Sequence, residues 1–117
     1  MRDFKELIVW KKAHLLCLEV YKITNDYPSE EKFGLISQLR RASASVPTNI
    51  AEGCGYDSSK QFVRFIIIAS GSITEVSYLI KLSKDLGFFS EDDFKTLNEE
   101  SNVIRRMLYN LRMSQIN

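Results

Sequence analysis

The chain has 117 residues, 44% hydrophobic and 26% charged, which is enough for one domain to bury a sizeable core without metals or disulfides. Sixteen basic and fifteen acidic side chains leave a formal charge of +1, short of the excess usual in a dedicated nucleic-acid binder. Cys17 and Cys54 lack metal-ligand spacing, the start at Met1–Glu6 is too charged for a signal peptide, and the apolar run from Phe65 to Ala69 is too short for a bilayer. A cytoplasmic protein with reduced thiols and no membrane contact is therefore expected.

The first predicted helix covers about residues 7–26, where Val9, Ala13, Leu16, Val20, Ile23 and Tyr27 form one stripe at three-and-four spacing. Trp10, Cys17 and Tyr21 widen that stripe. His14 lies beside them and is the chain's one histidine, so it reads as a packed side chain rather than a ligand or base. Pro28 ends the segment, because the residue before a proline avoids helical angles.

The second helix is expected over about residues 30–53, capped by Ser29, with Glu30 and Glu31 at the positive end of its dipole. Phe33, Ile36 and Leu39 supply apolar contacts. Pro47 lacks an N–H and crowds the carbonyl of Ser43, so the helix should kink there. The hydroxyls of Ser43, Ser45 and Thr48 are near enough to serve backbone groups that the proline leaves unpaired. Gly53 and Gly55 are read as the stop, through the left-handed conformation open to glycine.

Ser58 and Gln61 form a capping box for a third helix over about residues 59–86. Its core stripe is Phe62, Phe65, Ile66, Ala69, Ile73, Val76 and Ile80. Val63, Ile67, Ile68 and Leu79 fall outside it. Three consecutive isoleucines span about 200° of helix surface, and Ser70-Gly71-Ser72 beside them removes side-chain bulk. The surplus is either covered within the chain or buried against another subunit. A four-helix bundle rarely covers a helix completely, which favours self-association through Val63, Ile67, Ile68, Ser70 and Gly71. Gly87 closes this helix and Ser90 opens the fourth, over about residues 91–115, on a seven-residue repeat of Phe94, Leu97, Ser101, Ile104, Leu108, Leu111 and Gln115. Its acidic residues lie in the first half and Arg105, Arg106 and Arg112 in the second, as its dipole favours. Short connections make this an all-α, antiparallel up-down-up-down four-helix bundle, one domain over residues 1–117.

Four stretches carry a resemblance in order and spacing: FKELIVWKKAHLLCLEVYKIT, YPSEEKFGLISQLRRA, QLRRASASVPTNIAEG and FVRFIIIASGSITEVSYLIKLSKDLGF. Together they resemble the 23S rRNA intervening-sequence proteins, a bacterial family of small four-helix bundles, over most of the chain. The resemblance implies a ring-forming homopentamer. It also extends to the accessory protein of diversity-generating retroelements, a basic pentamer that engages nucleic acid and a reverse transcriptase.

Catalytic spacing is missing: there is no phosphate loop, no nucleophile turn, and one histidine cannot supply a di-iron site. A non-enzyme without cofactor or metal is expected. Arg40 and Arg41 stand about 100° apart on the second helix. One is expected to pair with Glu52 or Glu75; the other is free for a phosphate or a neighbouring subunit. Two functions remain open. One is an oligomeric module binding RNA or DNA through Lys11, Lys12, Arg40, Arg41, Lys60 and Arg64. The other is a scaffold that holds a partner protein without nucleic acid.

Overall fold

Four apolar stripes on helices joined by short turns can share one core only if the helices reverse direction at each connection. The computed structural model describes residues 2–116. Within it α1 spans Ile8–Thr24, α2 Leu35–Cys54, α3 Ser59–Asp85 and α4 Glu91–Met113. Single 3-10 turns precede α1 and α2, at Phe4–Glu6 and Ser29–Glu31, and no strand occurs among the described residues. Each helix packs against its neighbours in the chain and α1 closes on α4. The bundle measures 46 × 23 × 20 Å.

The core follows the stripes. Val9, Ala13, Leu16 and Val20 from α1 meet Leu39, Val46 and Ile50, the α3 residues Phe62, Ile66, Ile73, Val76 and Ile80, and Leu97, Ile104 and Leu108 from α4. By length and apolarity alone α3 could cross a membrane. It packs along one side against α2 and α4. Leu79, which lies off the predicted stripe, is also buried inside the chain.

The second helix starts later than expected. Residues 29–31 form a 3-10 turn, and Gly34, not Ser29, precedes α2. The Glu31 carboxylate accepts from the Leu35 N–H at 3.2 Å, supplying the cap from outside the helix. Phe33 is consequently placed on this connection and is 90% exposed, contrary to its expected core role. Helix α2 then runs unbroken on both sides of the buried Pro47. Two of the three nearby hydroxyls, those of Ser43 and Ser45, are engaged elsewhere than at the freed Ser43 carbonyl. Ser43 Oγ donates to the Arg40 carbonyl at 3.0 Å, and Ser45 Oγ bonds Ser72 Oγ of α3 at 2.8 Å.

Helix ends are closed by local chemistry. Ser58 and Ser90 accept from the N–H groups of Gln61 and Asp93. Gly87, at φ +78°, lets Phe88 N–H reach the Ser83 carbonyl, which closes α3. The glycines of α2 work differently from expectation: Gly55 has φ −74° and Gly53 lies within the helix. Gly53 is there for space. A Cβ on it would stand 3.0 Å from Phe65 Cβ and 3.3 Å from the Phe62 carbonyl.

Gly53→Ala should therefore destabilise the bundle, although alanine is the better helix former by about 1 kcal/mol. Overpacking of the α2–α3 seam is expected to outweigh that gain, for a net loss of about 1–2 kcal/mol in chemical denaturation. A variant as stable as the parent would show that the seam can yield.

Candidate interaction surfaces

The paired arginines of α2 diverge, as their spacing requires. Arg40 turns to the end of α1, where Nε donates to Thr24 Oγ1 at 2.8 Å and Nη2 donates to the Tyr21 carbonyl at 3.1 Å and to Asn25 Oδ1 at 3.0 Å. Its guanidinium also lies 4.7 Å from the centre of the Tyr21 ring. A cation at the carbonyl end of a helix is favourably placed, so Arg40 is a cap for α1. That role replaces the expected ion pair with Glu52 or Glu75; both carboxylates are exposed rather than held among apolar side chains. Arg41 points to solvent.

The other basic candidates come from two helices. Lys11 and Lys12 lie exposed on α1, while Lys60 and Arg64 lie exposed at the start of α3. Arg105, Arg106, Tyr109 and Asn110 line a shallow hollow on α4. His14 stacks on Trp10 at 5.1 Å, a packing role. No cluster of three His, Cys, Asp or Glu side chains able to hold a metal occurs among the described residues.

Two apolar surfaces are left uncovered. On α3, Ile67 and Ile68 are 44% and 43% exposed, Val63 and Ser70 are half-buried, and Gly71 faces open space with nothing within 4 Å of a Cβ built on it. Tyr78 continues the exposed side of this helix. The second surface is a groove of about 640 Å³ where α1 meets α4, lined by Lys12, Leu15, Leu18, Glu19, Glu100 and Val103 among others. Leu15 and Leu18 are 60% and 52% exposed there. Burial pushes the Glu100 carboxyl above its usual range; Glu19 adds to the rise and Lys12 opposes it.

The model of the 23S rRNA-intervening sequence protein family matches residues 5–110. The chain belongs to that family. It is also similar to a solved structure from Bacteroides thetaiotaomicron, a protein of unknown function from the S23 ribosomal protein family. That structure has a TM-score of 0.81 and 20% identity, covering 90% of this chain and 98% of that one. At such identity the likeness is one of fold. No curated protein matches this chain.

For this intervening-sequence protein, the sequence pattern left the α1–α4 groove unremarked. Leu15 and Leu18 are three residues apart and fall outside the Val9–Ala13–Leu16–Val20 stripe, which was the available signal. That Glu19 stands across from Glu100 depends on how α1 closes on α4, which periodicity does not encode.

Because the folded pKa of Glu100 is raised, its contribution to stability is fully present below the unfolded value and is lost as pH rises through the folded one. Glu100→Gln should thus stabilise dilute protein at pH 7, and the advantage should vanish in acid, where the parent carboxyl is already neutral. Thermal unfolding of the two proteins from pH 3 to 8 checks this; a constant difference across the range would contradict it.

Proposed function

We propose that this protein is a non-enzymatic, cytoplasmic, self-associating four-helix bundle that works as an assembly scaffold. The observation that carries the reading is the exposed apolar face of α3, with Ile67 and Ile68 beside the open Gly71 notch. One isoleucine fully withdrawn from water contributes about 1.5–3 kcal/mol, so repeated burial of this face is a strong drive to associate. The family resemblance favours a ring of five. Two free cysteines accord with a reducing compartment.

Sedimentation at micromolar concentration tests it. The parent should run well above the 13.5 kDa of one chain. Ile67→Glu should release folded subunits, whereas Lys95→Glu on exposed α4 surface should not. Gly71→Ala separates fold from assembly: it should raise subunit stability by about 1 kcal/mol while weakening association. A parent that sediments as a monomer overturns the reading.

A second reading, that the assembled scaffold holds RNA or DNA, is supported by the exposure of Lys11, Lys12, Arg41, Lys60 and Arg64. Arg40 contributes least to it, being occupied at the end of α1. Labelled RNA should bind at low salt with affinity falling steeply as salt rises, and Arg41→Glu, Lys60→Glu and Arg64→Glu should each weaken it. Assembled protein that binds nothing at low salt removes nucleic acid from the account and leaves a scaffold for protein partners.

A further inference from the structure

We infer that the last turns of α4 bind single-stranded nucleic acid, with phosphates on Arg105, Arg106 and Arg112 and a base stacked on Tyr109. This rests on the nucleic-acid reading above and gives it a site and a strand type.

The formal charge of +1 conceals a division along the bundle. Antiparallel helices bring the chain's start, the α2–α3 connection and the end of α4 to one end. Arg2 ties them together there: its N–H donates to the Cys54 carbonyl at 3.2 Å and its guanidinium to Gln115 at 2.8 Å. Dividing each helix at its middle assigns residues 2–16, 45–71 and 102–116 to this half. They carry nine basic and four acidic side chains, against seven basic and eleven acidic in residues 17–44 and 72–101. A near-neutral chain therefore presents one strongly basic end, the electrostatic footprint of a site for a polyanion.

Within that end α4 is the most one-sided element. The sequence contains no carboxylate side chain after Glu100. At 100° per residue Arg105, Arg106, Tyr109 and Arg112 fall within about 120° of the helix surface. Three of them, with Asn110, line an open hollow of about 380 Å³, and Tyr109 is 57% exposed. Among the described residues no carboxylate pairs with these arginines, whereas the ion pairs Lys81–Asp85 and Lys84–Glu91 lie at the other end. Helix α3 packs antiparallel along α4, so Lys60 and Arg64 at its exposed start extend the same charge.

The tyrosine decides the kind of polyanion. Arginines alone would take any phosphate or acidic peptide. An exposed aromatic ring among guanidinium groups suits a strand whose bases are free to stack, and the guanidinium planes can stack on bases too. In a duplex the bases already stack on one another and leave the ring without a partner. The site shares no residue with the open α3 face at Ile67, Ile68 and Gly71, so binding and assembly can be measured apart.

Fluorescence anisotropy over a salt series tests this with the full chain, using labelled single-stranded RNA and an RNA duplex of equal length. The single strand should bind more tightly. Arg105→Gln, Arg106→Gln and Arg112→Gln should each weaken it about threefold or more at low salt. Each should also lower the logarithmic salt slope by about 0.7, the share of one single-strand phosphate. Tyr109→Ala should weaken the single strand about tenfold with the slope unchanged, and Tyr109→Phe, which keeps the ring, should bind like the parent. Lys22→Gln and Lys95→Gln, exposed in the acidic half, should have no effect. Every position is on the surface, and circular dichroism verifies that each variant folds. If the parent binds RNA but the arginine variants match it, the site is overturned while nucleic-acid binding stands. Equal affinity for the duplex, no loss in Tyr109→Ala, or equally tight binding of poly-glutamate overturns base stacking at Tyr109. A parent that binds no RNA overturns both readings.

Discussion

The architecture depends on how closely α2 and α3 approach. Gly53 admits Phe65 and the Phe62 backbone to a distance that a Cβ would contest, and Ser45 and Ser72 hydrogen-bond across the same seam at 2.8 Å. Small residues at a helix crossing permit close approach, and the polar pair then fixes the register of one helix on the other. This is the most extensive helix pair in the bundle, and the α1–α4 pair is the thinnest. The groove beside Leu15 and Leu18 lies along that thinnest pair.

Much of the fold was legible because the residues that specify it act locally. The caps at Ser58 and Ser90, the left-handed Gly87 and the core stripes of α1, α3 and α4 all need only neighbours within two helical turns. Misreadings arose where tertiary contact decides. Gly53 has the sequence look of a helix stop but acts as a spacer, because what matters is Phe65 on another helix. Phe33 belongs by spacing to the stripe of Ile36 and Leu39, yet the helix begins after it, at Leu35. Nothing in the periodicity distinguishes a residue one turn inside a helix from one just before it.

The arginine pair shows the same division for charge. Its divergence was readable from a 100° step, but not which partner each side chain would take. A buried-carboxylate partner was expected because Glu75 sits among apolar neighbours in the chain. On a helix, however, sequence neighbours point in different directions, and Glu75 emerges on the exposed side while Ile73 and Val76 enter the core. Arg40 satisfies its donors on α1 instead, with a hydroxyl, a carbonyl and an amide oxygen, and needs no carboxylate. The hydroxyl is itself anchored, since Thr24 Oγ1 donates to the Val20 carbonyl at 2.7 Å. The α1–α2 corner is thereby held by polar contacts over a connection that contains an exposed Phe33.

The buried and the uncovered apolar residues of α3 are different side chains of the same turns. The core cluster takes Ile66, Ala69 and Ile73 from α3, whereas the open face takes Ile67, Ile68 and Gly71 from the same turns. A helix that contributes one side to its own bundle can leave the other uncovered, provided the bundle is stable without it. Here the buried side chains come from all four helices, and the first residues are tied to the rest: Arg2 lies over the Phe62 ring and donates to Gln115 near the chain's end. A subunit closed in this way can present apolar side chains to water without unfolding to hide them. The uncovered residues take no part in the core cluster, so a substitution at Ile67 or Ile68 leaves the buried side chains in place.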